Sequence, residues 1–332
     1  MKSSKKSSKE PGPHEGKGAI LAAFIANVGI AISKMIAFMV TGASSLLAEA
    51  VHSLADSSNQ ILLYIGTKKS RKAPSRTHPF GYGRAHFVYA FMISIVLFIL
   101  GGAFAMYEGI HKILHPAMIE SPVVAYIVLV LAVLLEGFAL RTALREAREF
   151  KPKGQNWWRF LRDTKSVNHV VLAMEDSAAL LGLSFAAMGI TLSLVTGNPI
   201  WDAVATLMIG GLLIFVAVFL FREIQSLLIG ESADRETEQK MQDVVMSVKD
   251  VDHLVDLKTL YTGPNELFIA MKIIVSGSDS AKTVAAAIDE VEARLRREFP
   301  IARLIYIEPD VYKSKRQQKI SDEAIQQTIN NS

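Results

Sequence analysis

Ser44-Ser-Leu-Leu-Ala-Glu-Ala-Val-His-Ser-Leu-Ala-Asp-Ser-Ser-Asn-Gln60 decides how the rest of the chain is read. The stretch opens an apolar run, yet Glu49, His52, Asp56, Asn59 and Gln60 sit inside it. On a helix His52 and Asp56 are related as i and i+4, so their side chains leave neighbouring turns in the same direction. Glu49 lies one turn earlier on nearly the same face. In a bilayer each ionisable group there costs roughly 2.5–3.5 kcal/mol on insertion scales, so a partner or an ion has to compensate. Imidazole with carboxylate is donor chemistry for zinc and its first-row neighbours. A His–Asp pair that holds two helices together is the other reading these residues allow.

Composition supports a membrane setting for this stretch. Half of the 332 residues are apolar and cysteine is absent, and the mean hydropathy is positive. The apolar residues are pooled in long runs rather than spread at amphipathic spacing, which reads as membrane. Without cysteine there are no disulfides and no thiolate metal sites. The basic start is followed by an apolar run too long for a signal-peptide core and without a small-residue cleavage site, so no signal peptide is expected.

Outward from the stretch, residues 1–18 read as a disordered basic N-terminus. Apolar spans are expected at about 19–40, 44–66, 87–109, 122–144, 168–195 and 200–222, each long enough to cross roughly 30 Å of hydrocarbon. The links between them alternate in charge. The 67–86 loop holds Lys68, Lys69, Arg71, Lys72, Arg76 and Arg84 with no acid. The 141–166 loop holds Arg141, Arg145, Arg148, Lys151, Lys153, Arg159, Arg162 and Lys165. The turns at Thr41–Ala43, His111–Ser121 and Thr196–Pro199 have almost no Lys or Arg. The positive-inside rule then places both termini and both basic loops in the cytoplasm. The basic excess is topology, and nucleic acid is not an expected partner.

After Gly230 the composition becomes that of a soluble domain, expected over 231–312. A helix over 234–249 precedes two β-rich runs, His253–Tyr261 and Leu267–Val275, split by a Thr-Gly-Pro-Asn turn. A second helix, Ser280–Arg297, and a last strand, Ala302–Ile307 ending at Pro309, complete an αββαβ order, which suggests a small ferredoxin-like layer. The tail over 313–332 reads as flexible. The expected fold class is an α-helical membrane protein of six transmembrane helices (19–230) with a C-terminal α+β ferredoxin-like cytoplasmic domain.

Further polar groups lie inside the spans. Glu175 and Asp176 sit together in the fifth (Val170-Val-Leu-Ala-Met-Glu-Asp-Ser-Ala-Ala-Leu-Leu-Gly182), Glu136 in the fourth and Asn27 in the first. Asp202 begins the sixth at the outer surface, where a carboxylate suits the helix dipole.

At this point the chain resembles the cation diffusion facilitators. The resemblance rests on Thr41-Gly-Ala-Ser-Ser-Leu-Leu-Ala-Glu-Ala-Val-His-Ser-Leu-Ala-Asp56, His78-Pro-Phe-Gly-Tyr-Gly83, Trp201-Asp-Ala and Leu228-Ile-Gly-Glu-Ser-Ala-Asp234, in order. The Glu-Asp-Ser-Ala-Ala-Leu-Leu-Gly run resembles the branch that includes the animal mitochondrial zinc transporter. The resemblance implies a homodimer that exchanges cytoplasmic divalent metal for protons: a transporter rather than an enzyme, without cofactor, expected in a plasma (inner) membrane. The transported ion is expected to be Zn2+, with Co2+, Fe2+, Cd2+ or Mn2+ open. The alternative is a non-transporting metal sensor or scaffold on the same bundle.

The family's pattern of His or Asp four residues before Asp, once in helix two and once in helix five, maps onto His52 and Asp56, then onto Leu172 and Asp176. Leu172 cannot bind metal. The expected metal residues are therefore His52, Asp56, Asp176 and Glu175, with Glu136, Glu49 and Asn27 as other sources of the fourth donor. Of the family's loop metal site only His78 is present, beside Ser75 and Tyr82. In the cytoplasmic domain Val255, Lys272 and Tyr306 stand where the family has histidines. His253, His169, His111 and His115 have no evident metal partner in sequence.

Overall fold

The computed structural model describes residues 15–151, 154, 156, 167–276 and 280–310. The expected basic N-terminus (but for its last residues), half of the second basic loop, with Lys153, Arg159, Arg162 and Lys165, and the expected flexible tail lie outside the described residues. The chain forms two compact units that part between Leu228 and Ile229.

Among the described residues the first unit holds six long helices: α1 (Glu15–Thr41), α2 (Ser44–Ser70), α3 (Ala85–Leu114), α4 (Pro122–Phe150), α5 (Val167–Thr196) and α6 (Ile200–Ile229). The helix α3 passes through a π-helical stretch at Leu97–Ala103. Among the described residues four helices, α3 to α6, qualify by length and composition to cross a membrane. The apolar part of α1 is shorter, Asn27–Thr41, and α2 falls short because its polar residues lower its hydropathy.

The helices carry their apolar residues outward as well as inward. On α4, Val123, Ile127, Val130, Leu134 and Phe138 follow one another at three- and four-residue steps and are all exposed. Such a stripe has no stable place in water and matches a lipid-facing surface. This is a multi-pass membrane protein. Inside the unit, small residues let helices approach. A methyl on Gly210 of α6 would sit 2.9 Å from Met106 N and 3.1 Å from Gly102 O of α3, so backbone meets backbone there. The helix α2 packs against α1, α3 and α5, which makes it the centre of the unit.

The second unit is α+β: α7 (Arg235–Met246), β1 (Val251–Gly263), β2 (Glu266–Val275), α8 (Ala281–Glu298) and β3 (Ala302–Asp310). The sheet order is β1-β2-β3, with β1 antiparallel and β3 parallel to β2. Burial alternates strictly along β2, with Leu267, Ile269, Met271, Ile273 and Val275 inside, the period-two signature of one covered face. Met241 and Val245 of α7 and Ala287, Val291 and Leu295 of α8 are buried as well. The last strand runs through Pro309 to Asp310 rather than stopping at it. At a sheet edge proline costs no ladder bond on its solvent side, so it need not end the strand.

Candidate functional site

The start of α2 is held by another helix. Gly42 turns the chain at φ +69°, a left-handed conformation that favours glycine, and Ala43, at the cap position, has no side chain to offer. Asp202 in the first turn of α6 takes over the capping role. It accepts hydrogen bonds from Ser44 N at 2.7 Å and Ser45 N at 3.3 Å, and from the Ser45 hydroxyl. Lys112 of α3 lies 3.9 Å from the same carboxylate and donates to Gly42 O at 2.6 Å. Asp202 is fully buried, and the orphan N–H groups it serves belong to α2 rather than to its own helix.

Further along α2, Glu49, His52 and Asn59 are buried and Asp56 is nearly so. His52 Nδ1 stands 3.6 Å from Asp56 Oδ1, too far for a hydrogen bond. Both ring nitrogens of His52, together with Asp56 Oδ1, Asn59 Oδ1 and Glu49 Oε1, are buried without a hydrogen-bond partner. Buried polar atoms are nearly always paired, and each orphan costs about 1–3 kcal/mol. A row of them on one helix face is the arrangement of a place made to receive something.

Across from α2, Glu175 Oε1 of α5 accepts from Asn59 Nδ2 at 2.6 Å. The partner of Glu175 is thus on α2, not on the fourth or sixth helix. Asp56 is within electrostatic reach of both Glu175 and Asp176. Among the described residues no three His, Asp or Glu side chains stand close enough to hold one ion as they are. The structure therefore brings His52 to Asp56 and α5's carboxylates to their neighbourhood, without closing a coordination shell.

The residue missed in the sequence is Lys34. Its Nζ lies 3.0 Å from Glu49 Oε2, 2.8 Å from Ser53 Oγ and 3.6 Å from Glu136 Oε1, and the side chain is fully buried. Glu49 and Glu136, two of the other fourth-donor candidates, are thus claimed by an ammonium group. A lysine inside an apolar run, as costly there as the carboxylates, was the signal. Asn27 is half-buried. Gly182 of α5 makes room for this cluster: a methyl there would sit 2.2 Å from Glu49 Oε1.

His78, His111 and His115 lie elsewhere. His78 is exposed, 4.4 Å from the Tyr82 ring, and Ser75 Oγ meets Tyr82 OH at 3.1 Å. His111 and His115 are exposed and stacked on each other at 4.6 Å. In the second unit Lys272 pairs with Glu308 at 3.0 Å and with Asp310 at 3.8 Å, and Val255 and Tyr306 are exposed. The side chain of His169 lies outside the described ones.

Two family models match. One, described as cation efflux transmembrane domain, covers residues 20–229, and the other, cation efflux protein, cytoplasmic domain, covers 233–310. The chain is similar to the mitochondrial proton-coupled zinc antiporter of Homo sapiens, 31% identical over 75% of this chain and 44% of the relative. It is 30% identical to metal tolerance protein C4 of Arabidopsis thaliana over 70% of this chain and 51% of that protein. The cation-efflux pump FieF of Escherichia coli matches at 26% identity over 86% of this chain and 89% of the pump. The chain spans about half the length of the first two.

Proposed function

The chain belongs to the cation efflux family, and we propose that it exports a divalent metal ion, zinc before others, in exchange for protons. The single observation that carries this reading is the buried face of α2, where both nitrogens of His52 and Asp56 Oδ1 have no hydrogen-bond partner. On this reading His52, Asp56 and Asp176 hold the ion near the bilayer midplane, as secondary transporters do. Glu175 is the fourth donor: Asn59 engages its Oε1, and its other oxygen is left for the metal. Closure of the shell comes from movement of α5 against α2, the step that alternating access needs.

Proton exchange follows from the same groups. A ligand has to lose its proton to bind metal, so metal uptake releases protons and protonation releases metal. One nitrogen donor among carboxylates favours zinc over manganese, and cobalt, iron and cadmium follow from the same donor set. The relatives' names point the same way, a proton-coupled zinc antiporter and a cation-efflux pump. All six helices cross the membrane on this reading, with both termini on the cytoplasmic side of a plasma or inner membrane, an orientation supported by the Lys and Arg asymmetry of the loops. The cytoplasmic unit joins two copies into a homodimer. The boundaries follow the composition: transport unit to residue 230, cytoplasmic unit from 231 to 312.

Zinc flux into proteoliposomes, with and without a pH gradient, tests the proposal. The wild type should move zinc faster when the gradient opposes the zinc movement with protons, and His52→Ala and Asp56→Ala should abolish flux while remaining folded. Gradient-independent flux, or near-normal flux in both variants, overturns it.

A further inference from the structure

Lys34 reaches three side chains on two other helices: Glu49 and Ser53 of α2 and Glu136 of α4. A buried ion pair contributes little net stability, because desolvation cancels most of the attraction. Three apolar residues in its place would tie the helices as well. The location is more informative than the pairing. Glu49 is one turn from His52 on the face that carries Asp56, and its second oxygen, Oε1, is buried, unpartnered and packed against Gly182 of α5. The helix α5 carries Glu175 and Asp176. Released from Lys34, Glu49 would offer a carboxylate at the border of the metal site, and Glu136 would offer another.

We infer that Lys34 is a tethered internal cation that withholds Glu49 and Glu136 from the transported metal, and so sets which ion the site takes. This rests on the transport reading above. With the two glutamates held, the donors left are one imidazole and the carboxylates of Asp56, Asp176 and Glu175, few enough for the four-coordinate geometry of zinc. With them free, the site gains oxygen donors and negative charge, which suit six-coordinate, oxygen-preferring ions such as manganese. The same gain tightens binding of any divalent cation and slows its release. Lys34 is thus a positioning residue, acting through Glu49 and Glu136 without touching the metal.

The test compares zinc and manganese binding and flux of the full chain in lipid, for wild type, Lys34→Met and Lys34→Met/Glu49→Gln/Glu136→Gln. Lys34→Met should bind manganese tighter by roughly tenfold or more, as one unneutralised charge nearby implies, with a smaller gain for zinc and slower zinc flux. The triple variant, with the freed carboxylates neutralised, should return the manganese-to-zinc ratio to the wild-type value. Should Lys34→Met not fold, Lys34→Met/Glu49→Gln carries the test, the ratio then shifting through Glu136 alone. An unchanged ratio in the lysine variants beside a zinc-binding wild type overturns the inference, as does a triple variant that keeps the altered ratio. A wild type that binds no zinc overturns the transport reading itself.

Discussion

Replacing Asp202 by Ala should loosen the first turn of α2 and with it the frame of the proposed metal site. The carboxylate serves Ser44 N at 2.7 Å, Ser45 N at 3.3 Å, the Ser45 hydroxyl and, at 3.9 Å, the Lys112 ammonium. Loss of a helix cap costs about 1 kcal/mol. Stranding a buried charge costs about 3–5 kcal/mol, but Lys112 keeps Gly42 O at 2.6 Å, so a smaller cost of about 2 kcal/mol applies. The total comes to about 3 kcal/mol for Asp202→Ala, and about half of that for Asp202→Asn, which keeps one acceptor oxygen. At about 2–4 °C per kcal/mol, Asp202→Ala should melt about 6–12 °C below wild type. The assay is thermal unfolding in lipid nanodiscs at one fixed scan rate, because membrane units seldom refold after heating. Amide exchange at Ser44 and Ser45 should quicken in parallel. A melting point within 2 °C of wild type, with those amides still protected, would refute the reasoning.

Gly182→Ala places a methyl 2.2 Å from Glu49 Oε1, so Glu49 has to retreat; the variant should lose about 1–3 kcal/mol by thermal unfolding, whereas in a Glu49→Ala background the same methyl should cost almost nothing. His52→Asp exchanges a nitrogen donor for oxygen and should raise manganese flux relative to zinc in a competition assay. In the second unit burial raises the Asp234 carboxyl, but hydrogen bonds from the Thr237 backbone and hydroxyl outweigh it and hold the group below its ordinary value of 3.8. Its capping of α7 is therefore fully present above pH 3.8 and is lost as pH falls through the lower folded value. Asp234→Ala should speed exchange of the Thr237 amide at neutral pH by roughly fivefold, about 1 kcal/mol of cap, and should make no difference once the wild-type carboxyl is protonated.

Much of the fold was legible because it is written in composition and period. The pooled apolar runs located the six helices, and the β-rich run Leu267–Val275 behind its Thr-Gly-Pro-Asn turn located the central strand. Ends were less legible: α2 and α4 run on to Ser70 and Phe150, into the basic segments, because charged residues outside the hydrocarbon continue a helix without cost. Pro309 misled for a reason of topology, since its effect depends on whether the strand is an edge. Within the site, His52 and Asp56 could be paired from their spacing alone. The partner of Glu175 could not, because Asn59 is 116 residues away and only the packing of α5 on α2 joins them. Lys34 was visible as a charge in an apolar run, yet its meaning depends on Glu49 and Glu136, which two different helices supply. Asp202 read as a carboxylate matched to the dipole of its own helix because sequence offers no view of the neighbouring one.

The account stands on one ion displacing protons from His52 and the carboxylates around it. Calorimetry of zinc binding to the full chain in nanodiscs, in two buffers of different ionisation enthalpy, counts those protons directly. The wild type should release protons as it binds zinc, more of them at lower pH, and both the tight binding and the release should vanish in His52→Ala and Asp56→Asn. Zinc binding that releases no protons, or that survives both substitutions unchanged, would contradict the account.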